Sequence, residues 1–263
     1  MILFIFMLVL TVGNLSAGFE YFGLQSYPVT YKMVDVVGTG SSLFVIIILV
    51  FFSGELVWRA RESKISEVID ATPHNSMPAL VAKTLALFVL ACGLYLFNIL
   101  VGMGYQLLNG YTKFELDVYL GDFFYNYLPL YLVTCTLLVF IQVIVNHKYI
   151  GYFVSILYLF VIDLLWLVFD LNSNMLSIGS TPFMQYSHMN GFGPAVTSNL
   201  WFNAYWISFG TLLLLAAALF VRRGKITGKE IWKLAKKNCS GGYRIYIGVF
   251  GILWLAIASD VFY

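Results

Sequence analysis

The sequence predicts an all-α fold, a polytopic membrane helix bundle of about seven transmembrane segments (the first incomplete) with an amphipathic helix on its cytosolic side. Three observations predict it. Of 263 residues, 60% are hydrophobic and only 11% charged, against about 45–50% and about 25% in soluble domains. Six stretches approach or exceed the roughly 20 apolar residues that cross a hydrocarbon core: 39–57, 84–107, 123–146, 150–169, 201–221 and 244–262. The basic residues, finally, segregate sharply between alternate loops. This composition excludes a soluble enzyme, a disordered tail and a nucleic-acid-binding module.

The first element, Met1 to Val12, is apolar but has no basic residue before it. It therefore reads as a spanning helix lacking its first turns rather than as a secretory signal. The last stretch runs directly to Tyr263 without a polar tail, and the chain is expected to be the middle of a longer polypeptide. The loops fix the orientation. Thirteen of the 15 Lys and Arg residues fall at 58–83, 147–149 and 222–244, leaving Lys32 and Lys113 on the other side among Glu20, Asp35, Glu115, Asp117, Asp122 and Asp170. The basic side is expected to be cytosolic, so the last span runs outward. Tyr125, Tyr127, Trp201, Tyr205 and Trp206 read as interfacial aromatic belts.

After Val57 the pattern turns amphipathic. Trp58, Ile65, Val68 and Ile69 recur at helical spacing, while Arg59, Glu62, Glu67 and Asp70 fall largely on other faces. Arg59 with Glu62 and Lys64 with Glu67 form i,i+3 pairs, and Thr72-Pro73 ends the predicted helix. The residues alone favour a juxtamembrane helix on lipid headgroups; docking of a cytosolic partner is the alternative. In the other long basic loop, Thr227-Gly228-Lys229-Glu230 has a capping-box pattern and opens a short basic helix through Lys237. Attraction to anionic lipid explains its composition.

The search for chemistry is mostly negative. Gly224-Lys225 and Gly228-Lys229 lack the Ser or Thr and the earlier glycine of a phosphate loop, and neither a His-Glu-x-x-His helix nor a Gly-x-Ser-x-Gly elbow is present. Cys92, Cys135 and Cys239 have no metal-type spacing, and His74, His147 and His188 are scattered among three loops. Two carboxylates fall within apolar spans: Glu55, one helical turn before Arg59 and expected to pair with it, and Asp163, in the outer half of its span without a basic partner. Intramembrane carboxylates usually face protein or water; a structural use of Asp163 is favoured over a proton relay. The long loop 170–200 is almost free of charge and either folds back over the membrane mouth or presents a surface to another domain.

The run Phe52-Ser53-Gly54-Glu55-Leu56-Val57-Trp58-Arg59-Ala60-Arg61-Glu62, continuing through Asp70-Ala71-Thr72-Pro73 to Lys83-Thr84-Leu85, resembles the type-2 (export-class) ABC transporter permeases. Over the whole chain the resemblance is to bacterial permeases fused to a gluzincin metallo-aminopeptidase. It is carried by Glu20-Tyr21-Phe22-Gly23-Leu24-Gln25-Ser26-Tyr27-Pro28-Val29-Thr30-Tyr31, Gly54-Glu55-Leu56-Val57-Trp58-Arg59, Val145-Asn146-His147-Lys148-Tyr149 and Asn190-Gly191-Phe192-Gly193. Ala60 departs from it where the family's coupling region implies an acidic residue.

The resemblance implies a permease domain at 1–243 and a final outward helix at 244–263 that leads to an extracytosolic peptidase beyond Tyr263. Trp58, Arg59, Arg61, Glu62, Ile65, Glu67 and Asp70 would form the coupling helix that meets a separate ABC-type ATP-binding subunit. A second permease domain would be the membrane partner, in the inner (cytoplasmic) membrane of a bacterium. ATP hydrolysis would lie in the partner, so this chain is expected to be neither an enzyme nor the holder of a cofactor. The rivals are a non-transporting membrane anchor for the aminopeptidase and, more weakly, an intramembrane enzyme built on Asp163.

Overall fold

The computed structural model describes residues 2–21, 24–71, 76–170, 173–193, 195–221 and 241–262. Nine α-helices and one π-helical turn make up nearly all of the described structure. They are α1 (Ile2–Gly18), α2 (Thr30–Glu62), α3 (Ser66–Ala71), α4 (Ser76–Leu108), α5 (Leu116–Asp122), the π turn Phe123–Tyr127, α6 (Leu128–Val145), α7 (Lys148–Val168), α8 (Ala195–Phe220) and α9 (Gly241–Phe262). Between α1 and α2 lies a two-residue antiparallel ladder, Glu20–Tyr21 (β1) with Leu24–Gln25 (β2), in the register Glu20 opposite Gln25.

Among the described residues, six helices are long and apolar enough to cross a membrane: α2, α4, the continuous α5–π–α6 element, α7, α8 and α9. These are the six predicted stretches, but most extend further than the apolar runs suggest. Helix α2 begins at Thr30 rather than 39, α4 at Ser76 rather than 84, and α8 at Ala195 rather than 201. The polar first turn of α2 is helical here because it packs on neighbours. Thr30, for instance, is buried and its hydroxyl meets Tyr111 Oη at 3.4 Å. Helix α1 likewise runs on past Val12 to Gly18, 17 residues in all, or about 25 Å of helix. Its polar residues are satisfied in place. Thr11 Oγ1 donates to the Met7 carbonyl, and Asn14 Nδ2 donates to the Gly40 carbonyl of α2.

Helix α6 forms the centre of the bundle, packing against α2, α4, α7 and α8; α1 lies on α2 and α4, and α9 lies on α8. Tyr95, Tyr119, Tyr131, Leu87 and Leu138 are among the largest fully buried side chains. Outward, the helices stay apolar: Phe51, Val89, Leu100, Phe153, Leu164 and Ile252 are all at least half exposed. Helices apolar on every side belong in a large protein core or in lipid.

Close approach at two glycines sets the helix spacing on the α2 side. A side chain at Gly38 would collide with Tyr127, and one at Gly54 with Tyr152. Small residues of this kind let helices pack where lipid supplies no hydrophobic driving force between them.

The turns gather the loops at two ends. At the basic end, Asn146 adopts a left-handed conformation (φ 52°) after α6, and α7 starts two residues later. There Arg61 Nη1 donates to Asn146 Oδ1 at 2.5 Å. At the acidic end, Gln106 Nε2 donates to the Pro28 carbonyl at 2.9 Å and His188 lies edge-on to Tyr31. The described loops of each predicted group therefore lie together, while 222–240 of the basic group lies outside the described residues.

Candidate functional site

The predicted coupling helix over 58–70 is not one helix. Trp58, Arg59, Arg61 and Glu62 form the last turns of α2, Ile65 stands in the following turn, and Glu67 and Asp70 belong to the separate helix α3. The break comes at Lys64, which takes a left-handed φ of 59°, a conformation uncommon outside glycine. Ser63 helps to end α2, its hydroxyl donating to the Arg59 carbonyl at 2.8 Å. Amphipathic spacing alone cannot register a one-residue reversal of this kind. Ile65 (55% exposed) and Val68 (71%) are apolar yet open; the Asp70 side chain lies outside the described side chains.

The end of α2 is tied to the α6–α7 corner. Trp58 Nε1 donates to Gln142 Oε1 at 3.1 Å, and the Arg61 guanidinium lies 4.9 Å from the centre of the Trp58 ring. Lys148 Nζ reaches Glu55 Oε1 at 2.7 Å and Glu62 Oε1 at 2.9 Å. Helical spacing predicts Arg59 as the partner of both acids. Lys148 takes them instead, because the tight α6–α7 turn brings the start of α7 alongside two successive turns of α2. The Lys64–Glu67 helical pair also has no helix to form on, since Lys64 lies in the turn.

A second polar cluster lies toward the acidic end, and sequence reasoning missed it. Asp122, assigned to a loop, is 7% exposed at the end of α5. Tyr95 Oη donates to its Oδ2 at 2.8 Å and Asn126 Nδ2 to its Oδ1 at 2.6 Å. Asn199 Nδ2 donates to Asn126 Oδ1 at 3.1 Å, and Asn203 Nδ2 reaches both Asn199 Oδ1 (2.6 Å) and the Tyr125 carbonyl (2.7 Å). These partners flank the π-helical turn, a rare form often found at functional sites.

Beside them is a cavity of about 230 Å³ whose lining includes Asp35, Asp122, Asn126, Tyr127 and Thr181. Segment 179–184 of the long loop covers it, held where Trp206 Nε1 donates to the Ser180 carbonyl at 2.9 Å. This part of the loop folds back over the bundle. Two carboxylates, an amide and hydroxyls without a basic residue in the described lining suit a cation or a hydrogen-bond donor. The signal available in the sequence was the repeated Asn199/Asn203 spacing on one face of an apolar helix.

The aromatic belts are corrected in part. Trp201 is 47% exposed, but Tyr205 and Trp206 are buried and pack with Phe209 and Trp254. Tyr127 stacks on Tyr95, with ring centres 4.3 Å apart. Asp163 falls within α7, with its side chain outside those described. The basic helix predicted at 227–237, Thr72-Pro73 and His74 lie outside the described residues. Among those described, no three His, Cys, Asp or Glu side chains converge as a metal site.

Fold and site define a class, a polytopic helical bundle with span-length apolar helices and polar clusters at both ends. No family model, curated protein or solved structure matches the chain.

Proposed function

We propose that the chain is the membrane-embedded permease half of an export-class ABC transporter, driven by a separate ATP-binding subunit that docks at the basic end. The observation that carries this reading is α3. It is a short amphipathic element joined to α2 by the Lys64 turn, with Ile65 and Val68 exposed beside Arg59 and Glu67. Exposed apolar residues rimmed by charge mark surfaces that contact a protein or a membrane, and the resemblance of this region to a coupling helix favours the protein. The spans would lie in a bacterial cytoplasmic membrane with this end toward the cytosol, and a second permease domain would complete the pathway. The substrate would enter the asparagine- and aspartate-lined cavity at the other end. ATP would be hydrolysed on the partner, without a cofactor in this chain.

Co-purification with the cognate ATP-binding subunit tests the reading. Arg59→Glu and Val68→Glu alter exposed side chains that hold no bundle contact described above. Together they should abolish co-purification and leave the monodisperse membrane-extracted chain unchanged. Undiminished co-purification would return α3 to lipid contact. A chain that never associates with an ATP-binding subunit would be the non-transporting anchor instead.

A further inference from the structure

The cavity of about 230 Å³ at the acidic end is walled by α2, the π turn and segment 179–184 of the long loop. Its carboxylates lack a counter-charge. Asp122 is 7% exposed and accepts only from uncharged donors, the Tyr95 hydroxyl and the Asn126 amide. The charged group described as acting on it is Asp35, which repels it. Asp35 stands in the cavity wall, exposed, and its carboxylate makes no hydrogen bond or ion pair among the described residues. Tyr127 lines the same space, and its hydroxyl is likewise without a hydrogen-bond partner among the described residues. A buried charge is costly unless paired, and a carboxylate in a spanning segment marks a functional site by default. Two uncompensated carboxylates and an unused hydroxyl around one space are what a cation with hydrogen-bond donors satisfies.

The rest of the wall decides which cation. A calcium ion takes about six to eight oxygen ligands, and among the described residues no three His, Cys, Asp or Glu side chains converge. Val34, Leu130, Pro182 and Met184 make much of the remaining wall apolar, which a bare ion cannot use. Tyr127 and Phe183 add aromatic rings, and such rings attract organic ammonium groups. The volume falls below the roughly 300 Å³ of sites for larger molecules, so the ligand is small. We propose that this cavity binds a small organic cation, an alkylammonium whose N–H protons go to Asp35, Asp122 and the Tyr127 hydroxyl while its carbons lie on the apolar wall. This gives the transport reading a substrate class, and it rests on that reading only in calling the ligand a substrate.

Binding of radiolabelled n-butylammonium to the purified full chain in detergent tests it, with 1-butanol, sodium chloride and calcium chloride as competitors at constant ionic strength. The wild-type chain should retain the label, and unlabelled butylammonium should displace it. The alcohol, similar in size but neutral, should not. Asp35→Asn should weaken retention about fivefold, the upper worth of an exposed ion pair. Asp35→Glu, which keeps the charge, should hold the ligand, and Tyr127→Phe, which removes only the hydroxyl, should weaken it. Neither the Asp35 carboxylate nor the Tyr127 hydroxyl holds a described polar partner, so these variants should fold; thermal unfolding without ligand checks that they do. No retention by the wild-type chain, displacement by 1-butanol as effective as by butylammonium, or retention unchanged in folded Asp35→Asn would overturn the proposal. Displacement by calcium where sodium has no effect, lost in Asp35→Asn, would assign the cavity to a metal ion and overturn the ammonium assignment. Butylammonium held by a chain that never co-purifies with an ATP-binding subunit would overturn the transport reading and leave this site standing.

Discussion

Tyr95 donates its hydroxyl proton to Asp122 Oδ2 at 2.8 Å, joining α4 to the last residue of α5 across 27 positions of sequence. The bond fixes the element at the point where it changes from α to π winding. Asn126, four residues on, closes over the other carboxylate oxygen. The π turn leaves the Tyr125 carbonyl available to Asn203 of α8, and Asn199 of α8 donates to Asn126, so the carboxylate holds α4 and the π turn directly and reaches α8 through Asn126. Such networks specify geometry when every member is satisfied.

Removing the ends of this bond should therefore cost unequally. Tyr95→Phe deletes one donor and leaves Asp122 with Asn126; the loss is expected near the average interhelical bond in membrane proteins, about 0.6 kcal/mol. Asp122→Ala orphans both Tyr95 and Asn126 and is expected to cost about 1–3 kcal/mol. Reversible unfolding in mixed micelles measures both. Equal losses would mean that Asn126 takes nothing from the carboxylate.

Lys148 bridges Glu55 and Glu62, whose side chains are 56% and 54% exposed. With both acids so open to screening, the bridge is worth no more than about 1 kcal/mol. Lys148→Gln should cost that much or less and lose its effect at high salt. Arg59→Gln should leave stability unchanged, because Arg59 holds neither acid. A larger loss for Arg59→Gln than for Lys148→Gln would restore the helical pairing that the spacing suggests.

Legibility differs by the kind of signal. The six spans are readable because a run of about 20 apolar residues is what crossing a bilayer requires and a soluble fold rarely contains. So is the grouping of the described loops, which chain alternation dictates once the spans are placed. Helix ends are not: α2, α4 and α8 begin several residues before their apolar runs, and Thr30, which opens α2, is buried only through a partner 81 positions away. The Lys64 turn is invisible because the apolar spacing of 58–70 continues through it. The Asp122 cluster escapes for a related reason. Composition marks Asp122 as loop, and only the packing of α4 and α8 around the π turn makes it interior. Asn199 and Asn203, four residues apart in a helix, carry the one local sign of a polar seam.

The orientation expected from the basic residues gives a labelling prediction. In a background without Cys92, Cys135 and Cys239, a cysteine at Ser66 in α3 and one at Ser187 in the long loop should differ in reactivity. An impermeant thiol reagent applied to intact cells should label Ser187→Cys and spare Ser66→Cys until the membrane is opened. Labelling of Ser66→Cys alone would invert the orientation drawn from the basic residues. Labelling of both would place the two ends on one side, against the spanning of α2.

Gly54 carries the last prediction. The Tyr152 ring of α7 lies where a Gly54 side chain would stand, and Tyr152 Oη donates to the Phe51 carbonyl at 3.2 Å. Gly54→Ala must push the ring outward, and with it the helix whose first residue holds Glu55 and Glu62. Overpacking of this kind costs about 1–3 kcal/mol. Gly93 in α4 is the control, since nothing lies within 4 Å of a side chain there. Gly93→Ala should stabilise by up to about 1 kcal/mol through helix propensity alone. Tyr152→Ala combined with Gly54→Ala should recover most of the Gly54→Ala loss, because the collision then has no second partner. A double variant no better than the sum of its singles would sink the proposal that this contact sets the α2–α7 spacing.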